Sequence, residues 1–474
     1  MKALLRDIFR KKKYDIEATQ FVRKLGVLDL TGIGIGAIIG AGIFVITGQV
    51  AAHYAGPAIV LSFILAGLTV LVSALVYAEL SSRYPIAGSA YSYTYTSFGE
   101  FLAWLVGWNL LLEYGVSVAA VASGWSGYFR SLLEKNLNIH FPDIISGKAP
   151  IFLNLHFDLI AFLVVIAVFI LLFVGIKESS NVNLFIVFIK LFTLGLFLAV
   201  GLFIVGIDLN NLNPFIPEPA KNFKGEDAYG WFGVLRAASI IIFAYLGFDA
   251  ISTVAEEAKN PTKTVPVGVL LALFISTFLY ISVSFTLVAI APYKELGVSD
   301  PLAKAMYMHG QVLVGNIIAI GAIITITSVM ITMGLGFTRV AYALARDGLL
   351  FSVFSKVHPK FKTPYASTIA GAILLSILAG FVPLTELAEL VNVGTLFAYF
   401  VVGLAVLYLR IKNEPGGTYR VPFPWVLIPL NLALIIFVTS GLPPLTWIRF
   451  FIWVVLGILI YVIYGYHKSR KVWM

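Results

Sequence analysis

Two ionisable residues lie inside long apolar runs, where a charge is costly and therefore suggests chemistry. Lys190 lies in NVNLFIVFIKLFTLGLF, and Glu113 lies in LLLEYGVSVAA. Inside a membrane helix such a charge costs at least about 2.5 kcal/mol, and these residues commonly form ion pathways or proton relays. We therefore expect Lys190 to gain and lose a proton, with Glu113 as its proton partner. The alternatives are a lysine that extends to the membrane interface and a glutamate bonded to neighbouring backbone.

Two glycine-containing stretches interrupt what would otherwise be apolar helices. GIGIGAIIGAGIF, residues 32–44, contains five glycines, and FAYLGFDA occupies residues 243–250. A glycine in a helix interior costs about 1 kcal/mol relative to alanine, and broken backbone at membrane depth is tolerated only where it is buried in protein or lines a wet cavity. The sequence therefore predicts helix breaks near residues 39–42 and 245–247.

The two breaks would present opposite partial charges. After the first break, the amides of residues 42–44 would begin a new half-helix, whose partial positive end suits a carboxylate. Before the second, the carbonyls of residues 243–245 would form a partial negative end that suits an ammonium. Side by side, these poles match the backbone of a zwitterionic amino acid. Asp249 could cap the half-helix that follows the second break.

Close helix packing is the alternative explanation for some of the glycines. Gly32, Gly36 and Gly40 have the spacing of a GxxxG motif, which lets membrane helices approach each other closely. Packing does not explain why a second glycine-interrupted helix occurs later in the chain, so we favour breaks at residues 40–42.

The composition indicates which elements must position these residues. Of the 474 residues, 59% are hydrophobic and only 12% are charged. Soluble domains of this size have more charged and fewer hydrophobic residues. Apolar runs repeatedly reach the roughly 20 residues that a membrane-crossing helix needs. The absence of cysteine excludes disulfides, thiol catalysis and thiolate metal sites. We predict an all-α polytopic membrane protein with twelve transmembrane helices, near residues 27–51, 57–82, 99–127, 157–175, 182–207, 230–257, 267–291, 311–343, 365–382, 386–410, 421–441 and 446–467.

The positively charged residues predict the orientation. Most of the 33 Lys and Arg residues fall in segments on the N-terminal side of the membrane, which places both termini in the cytoplasm. The net charge of +9 then requires no nucleic-acid partner. The basic cluster at residues 10–13 is expected to be a solvated arm near anionic lipid. The charged N-terminus is not expected to be a signal peptide.

The correspondence between the two breaks predicts an inverted repeat. Counting five helices forward from the first reaches the sixth, and interrupted helices at corresponding places in two halves are typical of transporters built this way. The predicted organisation is a cytoplasmic arm at residues 1–25, a core of five plus five helices at 26–410, peripheral helices eleven and twelve at 411–468, and a cytoplasmic tail at 469–474.

Four motifs carry a family resemblance: GIGIGAIIGAGIFVITG, FAYLGFDAISTVAEEAKNPTKTVPVG, IAGSAYSYTYTSFGEFLAW and RVAYALARDGLL. From about residue 25 to 466, the chain resembles the amino acid–polyamine–organocation superfamily, and within it the cationic amino acid transporters and their prokaryotic relatives. The resemblance implies amino acid transport by alternating access, with substrate at broken helices one and six. The expected substrate-site residues are Ile38, Ile39, Gly40, Ala41, Gly42, Ile43, Phe243, Ala244, Tyr245, Leu246 and Asp249. In that pattern the side chain of Phe243 covers the substrate from outside as a thin gate.

The residue types expected deep in the core favour neutral substrates. The polar groups there are uncharged: Thr325, Thr327, Ser328 and Thr332 on helix eight, and Asn392 and Thr395 on helix ten. We therefore expect small to medium neutral amino acids such as alanine, over a broad range. Cationic amino acid transport, exchange without proton coupling, and an amino acid sensor are the alternatives.

The resemblance also implies the coupling ion. In proton-coupled members of the superfamily, a lysine on the fifth helix occupies the place of the sodium ion of sodium-coupled relatives, and Lys190 matches that lysine. The expected partners are a free amino acid, protons and the lipids of the cell membrane, with no cofactor and no metal. A small accessory membrane subunit is left open.

Other motifs give no indication of catalysis. HExxH, GxSxG and phosphate-binding glycine–lysine patterns are missing from the sequence, so an enzyme is not expected. Arg236, near the outer end of helix six, is interpreted as structural. The pairs Glu79/Arg83 and Arg346/Asp347 lie at inner helix ends, where solvated ion pairs and an inner gate are alternatives.

Overall fold

The computed structural model describes residues 9–12, 23–84, 89–152, 155–175, 180–222 and 225–473, and these are mostly helical. The α-helices are α1 (Val27–Ile38), α2 (Thr47–Val50), α3 (Ile59–Arg83), α4 (Ser89–Ser97), α5 (Glu100–Leu137), α6 (Leu159–Val174), α7 (Ser180–Val200), α8 (Gly230–Ile241), α9 (Ala250–Thr253), α10 (Pro261–Ile290), α11 (Pro301–Met308), α12 (Val312–Arg346), α13 (Tyr365–Phe381), α14 (Leu384–Ile411), α15 (Pro424–Thr439), α16 (Pro444–Ile460) and α17 (Tyr466–Trp473).

Shorter elements extend or connect these helices. The π-helices are Gly42–Ile46, Ala51–Ala55, Gly201–Val205 and Tyr461–Gly465, and the 3-10 helices are Gly56–Ala58, Leu209–Leu212, Ile242–Tyr245, Ala255–Glu257, Tyr293–Glu295 and Ser352–Ser355. Two antiparallel hairpins, β1 (Ser146–Phe152) with β2 (Leu155–Asp158) and β3 (Ala220–Lys221) with β4 (Asp227–Ala228), occupy connections between helices.

The apolar helices identify an integral membrane protein. Within the described residues, eight helical segments are long and apolar enough to cross a membrane: Gly42–Arg83, Glu100–Leu137, Val182–Val205, Gly230–Ser252, Pro261–Ile290, Val312–Arg346, Leu384–Ile411 and Pro444–Ser469. Four shorter apolar helices accompany them: Val27–Ile38, Leu159–Val174, Tyr365–Phe381 and Pro424–Thr439. All the described spanning elements are helical because lipid cannot hydrogen-bond a spanning backbone, which must satisfy its own amides and carbonyls.

Helix α5 lies at the centre of the bundle. Its apolar stretch is completely buried, whereas only 22% of the apolar stretch of Pro444–Ser469 is buried. Helix α5 packs against α12 and α14, while α10 packs against α1 and α3. The most exposed large apolar side chains include Phe203 and Ile463, which suit contact with lipid. Polar residues in the apolar stretch of α5, such as Asn109 and Glu113, are therefore held in the protein interior.

Helix α5 is longer than the sequence predicted. It continues to Leu137, well beyond the expected end at residue 127. Arg130 lies in this extension and is buried, which is tolerated because its guanidinium donates to the Ser146 carbonyl and lies 3.4 Å from an Asp158 carboxylate oxygen. The paired charge allows the helix to continue past the apolar run.

Arg10 and Lys12 are not solvated in the way that the sequence predicted for the basic cluster at residues 10–13. Arg10 forms an ion pair with Glu100, and Lys12 Nζ lies 2.7 Å from Asp347 Oδ2. The expectation is wrong for Arg10 and Lys12 because Glu100 and Asp347 are buried carboxylates, and pairing with a cation reduces the cost of burying them. Lys11, between them, is exposed. Lys13 and the remaining predicted arm residues at 1–8 and 14–22 lie outside the described residues, so their placement stays a prediction.

A glycine lets this part of the chain lie against the bundle. Gly99 has a φ of 101°, and a Cβ there would lie 2.6 Å from the carbonyl carbon of Phe9. Close by, Lys11 Nζ lies 5.3 Å from the centre of the Tyr408 ring. We call residues 9–12 the arm, and the end of the bundle that they contact the arm end.

Candidate functional site

The first helix break follows α1. That helix ends at Ile38, and Ile39 has an extended backbone with φ −74° and ψ 107°. The π-helix Gly42–Ile46 then begins. The interruption therefore covers residues 39–41, within the stretch where the glycine pattern predicted it.

The amides at this break are fewer than predicted. The amides of Ile43 and Phe44 donate to the Gly40 carbonyl at 3.3 and 3.4 Å. The expectation that residues 42–44 all offer amides is therefore wrong for these two. Among the described residues, no hydrogen bond is given by the amides of Ala41 and Gly42, so these two are the candidate donors at this end. The available amides lie nearer the break than the sequence suggested.

The second helix break follows the 3-10 helix Ile242–Tyr245. Leu246 is extended, with φ −62° and ψ 147°. Gly247 has a φ of 98°, and a Cβ there would lie 2.9 Å from the Cβ of Ala37. Glycine is required at this position both for its left-handed backbone and for its contact with α1.

Asp249 does not cap the half-helix after this break. Its backbone is helical, with φ −70° and ψ −17°, and its side chain makes no capping hydrogen bond. A capping residue normally has an extended backbone that aims its side chain at the following amides. The carboxylate instead accepts a hydrogen bond from the Tyr114 hydroxyl at 2.8 Å. The predicted capping role is therefore wrong.

The two breaks touch each other, and a narrow cavity lies between them. A Cβ at Gly42 would lie 2.3 Å from the Ala244 Cα, so the contact depends on the absence of a side chain at residue 42. The cavity is lined by Ala37, Ile38, Gly40, Ala41, Gly42, Ser117, Val121, Phe243, Leu246, Val329 and Met333. It therefore brings the amide end of one break to the other break.

Six of the eleven expected substrate-site residues line this cavity: Ile38, Gly40, Ala41, Gly42, Phe243 and Leu246. Ile39, Ile43, Ala244, Tyr245 and Asp249 are buried beside it. Ala244 meets Gly42 through its backbone, and the Tyr245 hydroxyl donates to the Phe63 carbonyl at 3.1 Å. The gating role of Phe243 stays a prediction.

Sequence reasoning missed the side walls of the cavity. Ser117 and Val121 come from α5, and Val329 and Met333 come from α12. Each pair is spaced by four residues and so lies on one face of its helix. That spacing was visible in the sequence, but apolar residues on a buried helix are indistinguishable from packing residues.

The polar residues expected deep in the core do not line the cavity. The Thr327 hydroxyl accepts a hydrogen bond from Trp125 Nε1 at 2.9 Å. The Asn392 amide donates to the carbonyls of Ser239 and Ile240 at 2.8 and 2.9 Å. None of the six residues Thr325, Thr327, Ser328, Thr332, Asn392 and Thr395 is among the lining residues within the described chain. Hydroxyls and amides of this kind readily bond to nearby backbone.

Tyr280 of α10 joins the two breaks and was not predicted. Its hydroxyl lies 2.9 Å from the carbonyl oxygen of Ile38 and 2.8 Å from that of Ala244. The ring is fully buried and packs against Tyr245 at a centroid distance of 5.2 Å. A lone tyrosine in an apolar run offered no signal for this role.

Lys190 contacts the end of α1. It is completely buried, and its Nζ donates to the carbonyls of Gly36 and, at 3.1 Å, Ile39. A positive charge is favoured at the C-terminal end of a helix. Gly36 permits this approach, because a Cβ there would lie 3.2 Å from Asn183 of the same neighbouring helix, α7. The side chain does not extend to the membrane interface.

Glu113 has Asp249, which follows the second break, as a described charged neighbour. It is buried on α5, and the charged group that affects it electrostatically is Asp249, with Thr395 also beside it. The role of Glu113 as the proton partner of Lys190 stays a prediction. Among the described contacts, Lys190 binds the end of α1, and Glu113 lies near Asp249 in the segment after the second break.

Ion pairs lie at both ends of the bundle. Away from the arm, Arg236 lies 2.6 Å from Glu389 and 4.0 Å from Glu226, with its guanidinium 5.1 Å above the Tyr54 ring. All its described contacts join helices and a connecting segment. These contacts favour the structural interpretation of Arg236.

At the arm end the expected pairs have closer partners. Glu79 lies 3.8 Å from Arg83 but 2.6 Å from Arg410. Asp347 lies 3.7 Å from Arg346, a longer distance than that to the arm. Partners far away in the chain could not be read from local spacing.

Long apolar helices, two facing breaks and a cavity between them define a membrane transporter. The chain belongs to the amino acid permease family, whose pattern it matches over residues 25–465. This confirms the resemblance to the amino acid–polyamine–organocation superfamily and the prediction that the protein is a transporter and not an enzyme.

Curated relatives carry more specific descriptions. The chain is 44% identical to a methylthioribose transporter and 41% identical to a branched-chain amino acid permease, both of Bacillus subtilis (strain 168), and each match covers 98% of both chains. It is 36% identical to the vacuolar cationic amino acid transporter 4 of Arabidopsis thaliana, over 84% of this chain and 65% of that one.

Proposed function

We propose that this protein imports neutral amino acids of small to medium size, branched-chain ones included, by proton-coupled alternating access. The observation that carries the proposal is the cavity where the two helix breaks meet. The amides of Ala41 and Gly42 suit a carboxylate, and the carbonyls near Ala244 suit an ammonium. Bound between them, an amino acid would face Phe243, the proposed outer gate.

The cavity walls favour neutral, aliphatic side chains. The lining includes Val121, Val329 and Met333, and no charged residue is among the described lining residues. A cationic side chain would be costly to bury there without an acidic partner. The similarity to branched-chain amino acid permeases points in the same direction. Cationic amino acid transport is therefore the weaker alternative.

The proposed membrane arrangement has twelve crossings. In it, α1 with the segment after Gly42 forms helix one, and α8 with α9 forms helix six. Two inverted repeats of five helices make the core, and the last two helices are peripheral. Both termini, and hence the arm end, face the cytoplasm, and the membrane is the cell membrane. The excess of Lys and Arg in the segments of that side supports this orientation.

Proton coupling is proposed through Lys190. Its ammonium binds the end of α1 and could loosen that end on losing its proton, because the attraction to the two carbonyls would weaken. Glu113 and Asp249 form a second candidate proton site, since two buried carboxylates side by side are costly to ionise together. Exchange without proton coupling is the alternative.

Uptake into proteoliposomes tests the proposal. An imposed inward proton gradient is expected to drive accumulation of leucine, valine or alanine above equilibrium. Thermal-shift measurements with all twenty amino acids would identify the ligands, because a ligand stabilises the folded state by mass action. Absence of both uptake and stabilisation by neutral amino acids would contradict the proposal.

Methylthioribose import is a second candidate function. It is favoured by the 44% identity to a methylthioribose transporter along 98% of both chains. This substrate has neither carboxylate nor ammonium, so it would not use the two poles of the breaks. Competition decides between the candidates: methylthioribose should leave leucine uptake unchanged if the amino acid proposal is correct.

A further inference from the structure

The short helix α4 lies between the arm and the second break. Tyr91 and Tyr95, four residues apart, lie on one of its faces. The Tyr91 hydroxyl donates to Asp347 at 2.8 Å, and the Tyr95 hydroxyl donates to Glu100 at 3.1 Å. These are the two carboxylates that the arm binds. The carboxylates of Glu100 and Asp347 therefore bind both the arm and one face of α4.

The other face of α4 leads to the second break. Helix α4 packs against α9, and the buried Tyr93 lies near Ser252 of that helix. The Tyr93 ring is 6.4 Å from that of Tyr77, which is 5.2 Å from the Phe248 ring. Contacts therefore run without a gap from the arm, through α4, to the segment that follows the second break.

The two carboxylates are held in the closed arrangement by several donors. Glu100, the first residue of α5, also accepts hydrogen bonds from the Tyr461 and Ser469 hydroxyls at 3.0 and 2.8 Å. Asp347 follows the end of α12. Arg10 and Lys12 bring them positive charge. Removing a cation from a buried carboxylate is strongly unfavourable unless water replaces it, so the arm can leave only when this region becomes hydrated.

The chain after the arm is tied to both broken helices. The amides of Lys24 and Leu25 donate to the Glu257 carbonyl at 2.9 and 3.0 Å, and the Lys259 amide donates to the Leu25 carbonyl at 2.8 Å. Leu25 lies two residues before the start of α1, while Glu257 follows α9. The half-helices that precede the first break and follow the second therefore share a backbone junction.

We propose that Arg10 and Lys12 form a latch that holds α4 against α9 and keeps the cytoplasmic side of the cavity closed. The latch opens when substrate leaves towards the cytoplasm, and water then hydrates the four separated charges. The inference rests on the proposed alternating access. It assigns to the arm a mechanical role in transport that is separate from substrate recognition.

Cysteine labelling tests the latch, since the chain has no cysteine of its own. Ser252→Cys would place a single thiol on α9, labelled from the cytoplasmic side by a membrane-impermeant maleimide. Arg10→Gln with Lys12→Gln is expected to increase the labelling rate several-fold. Lys11→Gln is the matched control, because it also removes a positive charge from the arm, but one that lies over the Tyr408 ring and outside the two proposed latch pairs. Equal labelling rates for the double variant and the control would overturn the latch.

Crosslinking provides an independent test if the double variant folds poorly. Lys12→Cys with Asp347→Cys can be joined by a short bismaleimide, which would keep the latch permanently closed. We expect the crosslinked protein to lose net uptake but to remain stabilised by amino acid in thermal-shift measurements. If the crosslinked protein is stabilised by amino acid and its uptake is undiminished, the latch is wrong while the proposed function stands. Absence of stabilisation before crosslinking would instead contradict the proposed function.

Discussion

The two helix breaks differ in what satisfies their carbonyls. At the first break, the ammonium of Lys190 binds the carbonyls of Gly36 and Ile39. At the second, the Ala244 carbonyl is within reach of the neutral Tyr280 hydroxyl, which also reaches Ile38. A charged side chain therefore binds carbonyls at the first break only, and a neutral donor is shared between the two breaks.

This difference indicates which break can accept a substrate ammonium. A tyrosine hydroxyl has one hydrogen to donate, so Tyr280 can satisfy only one of its two carbonyls fully at a time. An incoming ammonium could bind the Ala244 carbonyl while the hydroxyl keeps Ile38 satisfied. At the first break, it would have to displace the positive charge of Lys190. The comparison favours the carboxylate at the first break and the ammonium at the second.

Gly42→Val should have the largest effect, because it would separate the two breaks. A Cβ at residue 42 would lie 2.3 Å from the Ala244 Cα. Because this is a backbone atom, the overlap cannot be relieved by rotating a side chain. We expect no detectable amino acid binding, with membrane insertion intact. Gly195→Val is the matched control, since a Cβ there meets nothing within 4 Å. Unchanged affinity in thermal-shift titrations of the Gly42 variant would show that substrate binds elsewhere.

Lys190→Ala should remove the ammonium group from the first break and abolish proton-driven accumulation of amino acid. It would leave two buried carbonyls without their donor, a loss of about 1–3 kcal/mol each, so a lower melting temperature is also expected. Binding need not be lost, because the carboxylate and ammonium contacts come from backbone elsewhere. Binding and uptake would be measured separately in proteoliposomes.

Normal accumulation in the Lys190 variant would place the coupling group elsewhere. Glu113→Gln would then be the next variant to compare, because Glu113 and Asp249 form the other buried ionisable pair near the breaks. If the pH dependence of uptake is lost in Glu113→Gln and kept in Lys190→Ala, the coupling proton binds at Glu113 and Asp249 and not at Lys190.

Tyr280→Phe should weaken substrate binding moderately by removing the shared donor. A net hydrogen bond contributes about 0.5–1.5 kcal/mol, which corresponds to a change in affinity of roughly two- to tenfold. Tyr245→Phe is the matched control, since this neighbouring hydroxyl donates to Phe63 and not to a break. Equal changes in KM for both variants would show that Tyr280 does not distinguish the two breaks.

Replacing sodium by potassium in the buffer should change uptake less than any of the substitutions above. If the ammonium of Lys190 takes the place of a coupling cation at the first break, uptake driven by a proton gradient should be the same in either salt. Uptake into liposomes with matched ionic strength measures this. A strict sodium requirement would contradict proton coupling.

Local sequence features were sufficient to predict the positions of the breaks. The glycine pattern placed them near residues 39–42 and 245–247, and the structure interrupts the helices at residues 39–41 and at Leu246 and Gly247. The carbonyls bound by Lys190, those of Gly36 and Ile39, lie at the first of these breaks. These features depend on backbone geometry, which glycine influences directly.

Features that depend on distant contacts could not be predicted. Asp249 appeared suited to a capping role, but Tyr114 of another helix binds its carboxylate. Val329 and Met333 line the cavity, yet their apolar side chains are equally suited to packing. The partners of Arg10 and Lys12 required knowledge of which helix ends meet in space. Tertiary packing decides each of these cases, and a single sequence does not encode it in local spacing.

The ion pairs of the arm have a consequence for the order in which the chain assembles during synthesis. Arg10 is separated from Glu100 by 90 residues, and Lys12 from Asp347 by 335. The N-terminal segment is translated first, yet Lys12 cannot meet Asp347 until α12 has left the ribosome and entered the bilayer. Closure of this contact therefore marks a nascent chain whose central helices have already been inserted and packed.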